Sequence, residues 1–549
     1  MPVARRVGAL PLMDQLERSW RRAALLSLPV VVPAALLFGL CMWWQSSNTE
    51  HVLSAAAMVG RGDCEGALSE FSKCRRIGPV GPARVPLRHW ETAAAAQCVD
   101  IARTNADRRN AKTAEAALMR AVRYDPLNRE APFFSAKLDA VQRPTIIVPQ
   151  DYPTISKAIS SALPKSTILI SPGTYREALH ITKEVTLVGE GPREGVVIEN
   201  ESAAVLVTAA PKVVAFSLTL RGATAMQPGS KDFGVRCDGG ALILADCDVT
   251  SGSMACVAAR GPNAGCAVRF SRIHDGKDGG GVCILGGKGI VEDSEIARND
   301  RGGAQALDGG ELTVRRCLMY NGLHAAVLVS TRGIALVEDC EMSNNDPCQV
   351  LVETQGRVTV LRSRLKAWGK CGGIIVRSDG GATVEDCSLS VLGGCAIEEL
   401  NAVNLVVRRC KTTGGSGVFL HDGAVATIED SEFAAAVISG IELTRKADAV
   451  VRRCRLYDNS GRGVLVSHEA RGTFEDCVID RNMPYGVEAF TRSTPVFRAC
   501  KINRNEYAAY VYDGAMATFI DCDATQNRCG AWWKLDPRAI KVEGGKTQQ

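Results

Sequence analysis

The sequence predicts a mainly β protein: a parallel β-solenoid of about 23 residues per coil, preceded by a transmembrane helix and a small α-helical segment. Three observations carry this expectation. A small sulfur- or hydroxyl-bearing residue returns at Cys247, Ser271, Ser294, Cys317, Cys340, Ser363, Cys387, Cys410, Ser431, Cys454, Cys477, Cys500 and Cys522, almost always after 23 residues. A fixed period of this length marks stacked supersecondary units. Between these positions lie short runs with the alternation of strands, such as Gly463 to Val466 and Gly472 to Ile479, too short for helices. The residues just before the repeated position also alternate in charge. Asp246 is followed by Arg269, Glu292-Asp293 by Arg315-Arg316, and Glu338-Asp339 by Arg362. Glu385-Asp386 is then followed by Arg408-Arg409, Glu429-Asp430 by Arg452-Arg453, and Glu475-Asp476 by Arg498.

With parallel strands about 4.8 Å apart, every acid in that series sits between two bases. The full repeat is therefore a double coil of about 46 residues, and its charges oppose a slip of one coil. A row that looks like a polyanion or metal site is instead consumed in self-neutralisation. In Val384 to Leu389, Val384 and Cys387 cannot both point inward along one straight strand, so a bend is expected at Glu385-Asp386. Nine ladder positions are cysteines (Cys247, Cys317, Cys340, Cys387, Cys410, Cys454, Cys477, Cys500 and Cys522), read as free thiols filling the core. Five residues after the ladder, Gly or Asn recurs at Gly252, Gly276, Asn299, Gly322, Asn345, Gly415, Asn459, Asn482, Asn505 and Asn527. Both tolerate the left-handed region, so each coil is expected to turn a corner there.

The Glu475 to Ile479 pattern followed by Asn482 resembles the right-handed parallel β-helix of the pectin-lyase-like superfamily, over roughly Thr145 to Gly530. Ile146 to Pro149, Tyr152 to Ile155, Ala158-Ile159, Ile168 to Tyr175 and Thr186 to Gly191 resemble the first coils of pectin methylesterases. The resemblance implies a right-handed coil. It implies no single activity, because this architecture hosts lyases, hydrolases, esterases, epimerases and inert scaffolds. Gly173 to Glu177 matches the first methylesterase signature, but the later signatures with the catalytic aspartates and arginine are absent. The polygalacturonase motifs and the paired histidine motif of alginate epimerases are missing as well.

Domain boundaries follow from composition. Residues 1–22 form a basic cytoplasmic tail, and 23–44 the transmembrane helix, an apolar run of 22 residues from Ala23 to Trp44. Arg5, Arg6, Arg18, Arg21 and Arg22 precede it, which places the β-helix outside the cytoplasm; a cytoplasmic β-helix is the alternative, and it suits the thiols. Residues 45–143 form a helical stalk, 144–530 the β-helix, and 531–549 a cap and polar tail. In the stalk, Gly62 to Phe71 and Ala117 to Ala131 resemble degenerate tetratricopeptide helices, read as a spacer more than a peptide groove.

Charge and motifs narrow the function. With 65 basic and 60 acidic residues the balance argues against nucleic acid as partner. Cys-x-x-Cys spacing is absent among the 21 cysteines, so no metal is expected; calcium enters only with a lyase. The loop His274-Asp275-Gly276-Lys277-Asp278 holds the ingredients of a lyase, with His274, Asp275 and Asp278 as catalytic candidates and Asp232 and His421-Asp422 as weaker ones. Tyr507, Tyr510 and Tyr512, with Trp532 and Trp533, fit either a cap on the open end or a platform for sugar rings. The expected function is a membrane-anchored, non-catalytic binding or scaffold protein that engages a polysaccharide or protein partner. The alternative is a polysaccharide lyase.

Overall fold

The computed structural model describes residues 84–547, save 126, 224–232, 370–371, 403, 535 and 537, with residues 54 and 58 before them. The expected transmembrane segment 23–44, the basic tail and Gly62 to Phe71 lie outside the described residues. Among those described, no helix is long and apolar enough to cross a membrane.

The chain divides into two compact units. The helical unit holds Arg84–Thr104 and most of Ala111–Tyr124. Ala94, Ala95, Cys98, Val99 and Ala102 are buried, as are Ala114, Ala117, Leu118 and Ala121. Arg103 bonds Glu130 at 3.2 Å and lies over the Phe134 ring at 5.0 Å.

The second unit is a β-solenoid whose coils each contribute one strand to three long parallel sheets. One coil serves for all. Arg462–Val466 lies in sheet 1, Arg471–Glu475 in sheet 2 and Val478–Asp480 in sheet 3, each paired in parallel with its equivalent in the next coil. Sheets 1, 2 and 3 hold 16, 18 and 17 strands. Near the start, the helix Ile155–Ser161 is capped by Thr154 and adds Ile155, Ala158 and Ile159 to the core.

The corner between sheets 2 and 3 is built on backbone conformation. The residue before each ladder position has positive φ in all thirteen coils, from Asp246 (52°) through Asp386 (54°) to Asp521 (52°). That single left-handed residue resets the alternation, so Val384, Cys387 and Leu389 all face the core. Behind it stand the thiols. The nine ladder cysteines are free and buried, and burial pushes the Cys247 thiol up to about 12. In front of it stand the charges. Glu429 bonds Arg408 at 3.1 Å on one side and Arg452 at 3.6 Å on the other. Asp293–Arg316, Asp386–Arg409 and Asp430–Arg453 pair at 2.6 to 2.8 Å.

The second corner differs from expectation. Positive φ falls on the expected residue at Gly415 (51°) but one residue earlier at Arg298, Asn344, Asp458, Arg481, Arg504 and Gln526. The asparagine that follows is inside. Asn459 donates from Nδ2 to Asn482 Oδ1 (2.7 Å), Asn482 to Asn505 (3.0 Å) and Asn505 to Asn527 (3.2 Å). Each Nδ2 also donates to a carbonyl, as Asn482 does to Leu456 O at 3.0 Å. A buried amide needs every partner, and the stack supplies them. Where Gly stands beside Asn in this row the contact is close: a Cβ on Gly276 would lie 2.7 Å from Asn299 Oδ1. The C-terminus also departs from the expected cap and polar tail. Trp532–Lys534, Ile540–Glu543 and Lys546–Thr547 extend all three sheets past residue 530, because a last rung pairs through its backbone and needs few apolar side chains.

One core position conflicts with its neighbours. Glu399 points inward in sheet 1 between Val376 and Leu420. It is 0% exposed, and among the described residues neither oxygen finds a hydrogen-bond partner. Burial pushes its carboxyl up to about 8. A carboxyl with a raised folded pKa stays neutral in the fold while the unfolded chain ionises. Its penalty is absent below about pH 4.3, grows up to about pH 8 and is then constant. Glu399→Leu should therefore raise thermal stability, with a gain that grows across that window to a few kcal/mol. Melting curves at about pH 4.5 and about pH 8.5 would show it; an equal shift at both would refute the assignment.

Candidate functional site

Sheet 3 carries the first predicted cluster. His274 ends the strand Arg272–His274, and both of its ring nitrogens meet carboxylates: Nε2 with Asp248 Oδ1 at 2.9 Å and Nδ1 with Asp275 Oδ2 at 2.6 Å. Arg298 closes the cluster, with Nε on Asp275 Oδ1 at 2.7 Å. Asp248 and the other carboxylate hold His274 raised, and the Arg298 hydrogen bond brings Asp275 down to about 2. An imidazole bonded at both nitrogens offers no lone pair to a substrate proton. Asp278 is exposed and makes no hydrogen bond or ion pair with His274; its backbone N–H donates to Asp300. Asp232 lies outside the described residues. Among the described residues, no three His, Cys, Asp or Glu side chains converge as a metal site.

The tyrosines fall on a different surface. In sheet 1 the strands Cys395–Leu400, Ser416–His421, Ser439–Leu443, Arg462–Val466, Tyr485–Ala489 and Tyr507–Val511 lie side by side. Their central outward positions form a column in register: Glu398, Phe419, Glu442, Leu465, Glu488 and Tyr510. Carboxylate and apolar residue alternate rung by rung. Beside the column, Tyr485 lies 5.0 Å from Tyr510, Tyr510 stacks on Tyr512 at 4.5 Å, and Phe490 stacks on Tyr512 at 5.2 Å. Tyr507 flanks Tyr485 at 6.1 Å. These rings are half-buried and face outward, whereas Trp532 packs on Phe519 and the core at the open end. The predicted aromatics thus divide between two places, the outward face of sheet 1 and the open end of the core.

The carboxylates of the column are held differently. Glu488 is buried, bonded by Arg462 and by the Tyr512 hydroxyl at 3.2 Å. Burial, then Glu488, pushes Tyr512 up to about 12. Glu398 meets His421 Nε2 at 3.3 Å, and that imidazole stacks on Phe419 at 4.5 Å. His421 also meets Asp422, which pairs with Arg445. Glu442 accepts from Ser439 Oγ at 3.2 Å and, among the described residues, has no ion pair; burial raises its carboxyl. Five of the six column residues were not singled out in the sequence, nor were Tyr485 and Phe490. The signal was present, since each column residue stands twelve before a ladder position. On the turn side of sheet 2, a shallow recess of about 460 Å³ is lined by Arg332, Ile334, Gln355, Arg357, Asp379 and Asn404.

A family model supports the architecture. The family described as right handed beta helix region matches residues 218–365, 349–495 and 401–546. The sequence matches no curated protein. Similar solved structures include the periplasmic alginate epimerase AlgG, at 12% identity over 70% of this chain and 77% of that one, with TM-score 0.27. The catalytic unit of an α-1,3-glucanase from Streptomyces thermodiastaticus shares 13% identity over 71% and 64%, with TM-score 0.28. The A-module of mannuronan C-5 epimerase AlgE4 from Azotobacter vinelandii shares 13% over 71% and 93%, with TM-score 0.26.

His274 is the residue to test here. A histidine with a raised folded pKa contributes stability that is full below about pH 6.5 and is lost as pH rises through the folded value. His274→Asn should destabilise the fold more at about pH 5.5 than at about pH 9, read by thermal melting. A pH-independent loss would show that His274 is not held as the cation.

Proposed function

The chain belongs to the right-handed β-helix family, and from that premise we propose that it binds a polysaccharide on the outward face of sheet 1 between Glu398 and Tyr512. One observation carries the reading: carboxylates alternate with apolar and aromatic side chains in a straight register over six rungs. Aromatic rings take the apolar faces of sugars, and carboxylates accept from hydroxyls. The column spans five rung spacings, about 24 Å, enough for several sugars in an extended chain. The expected anchor is the apolar run 23–44, with the β-helix on the extracytoplasmic side and the helical segment as a spacer.

Binding without turnover is the form of the proposal that the residues support. Lyase chemistry needs a free base beside a carboxylate-bearing sugar, whereas His274 is occupied by Asp248 and Asp275. His421 is shared between Glu398 and Asp422.

Full-length protein in detergent, assayed by affinity electrophoresis against neutral and acidic polysaccharides, would test this. Tyr510→Ala should weaken retardation by the bound polymer about three- to tenfold, as expected for the loss of one aromatic contact. Unchanged retardation in that variant, or unsaturated uronate products that vanish in His274→Ala, would overturn the proposal.

A further inference from the structure

The column also carries information on which sugar it takes, if it is the glycan face argued above. We propose that it binds an extended polysaccharide whose sugars bear free amino groups, with one ammonium set against Glu442 and apolar sugar faces on Phe419 and Tyr510.

The period of the column points to such a chain. Glu398, Glu442 and Glu488 recur every second rung, a spacing of roughly 10 Å. In an extended chain of alternately flipped sugars, equivalent groups return to the same side once per disaccharide, a repeat of the same order. The rungs between the carboxylates hold Phe419 and Leu465, and the rung after Glu488 holds Tyr510, where the intervening sugars would present their apolar faces.

Charge sets the sign of the ligand. The nearby cations are committed: Arg462 to Glu488 and Arg445 to Asp422. Beside the column, a uronate chain would find these described cations already paired and would face three carboxylates. Glu442 is the exception in the column. It is half-buried between Phe419 and Leu465, holds a hydroxyl from Ser439, feels Arg462 and His421 only through space, and among the described residues forms no ion pair. Burial already disfavours its charge. An ammonium at this point would supply the missing partner through a charge-assisted hydrogen bond.

The test is calorimetric titration of the full-length protein with four probes: a hexamer of glucosamine, its N-acetylated form, cellohexaose and an oligogalacturonate. The glucosamine hexamer should bind about tenfold tighter than cellohexaose, an advantage that falls with added salt. Glu442→Gln should remove that advantage while its melting temperature stays that of the unaltered protein, which shows that the variant is folded. Equal affinity for the amino and neutral hexamers, or a preference for the uronate, would overturn the amine assignment and leave the glycan reading intact. If no probe binds while the melting temperature is normal, both fall.

Discussion

A single backbone conformation underlies the β-helix: the left-handed residue before each ladder position. It turns the chain from sheet 2 to sheet 3 without using a loop, and it reverses which residues face the core. Thiols and hydroxyls can then stack inside while the preceding acids and bases stack outside. The strain of positive φ at a residue other than glycine, of order 1 kcal/mol per residue, recurs at thirteen corners, eleven of which carry Asp or Arg. It is offset there by strand pairing on both flanks and by the ion pairs that those same side chains make.

Much of this architecture was legible in the sequence because translation along the solenoid turns a spatial stack into a period. The ladder, the bend at Glu385-Asp386 and the alternating charges could all be read from one strand of text. The second corner was misread for a physical reason. Asn favours both the left-handed region and buried amide stacks, and composition alone does not separate the two. Arg481 and Arg504, which do adopt positive φ, carry no residue signature for it. The last coil was missed because Lys541 and Glu543 read as a polar tail, although they pair with one another at 2.6 Å across one strand.

The candidate face was less legible. The eye finds Tyr507, Tyr510 and Tyr512 because they are rare residues close together. It passes over Glu398, Glu442 and Glu488, which are common residues 44 and 46 positions apart. Only the register of sheet 1 brings them into one line. His274 shows the opposite failure. Its loop has the residue types of a catalytic base, but partners from the previous and following coils, Asp248 and Arg298, complete a closed cluster.

The double-coil repeat has a consequence for how such a molecule can change length. Coils that present Glu in the column run on into the arginine corners at Arg408-Arg409, Arg452-Arg453 and Arg498, while those with Phe419, Leu465 and Tyr510 run on into the acidic corners. Removing one coil would bring acid against acid at the junction and also break the alternation on the face above it. Duplication or loss of two coils would preserve both. The protein is thus built from a tile two rungs high, and descent by recombination would conserve parity more strictly than length.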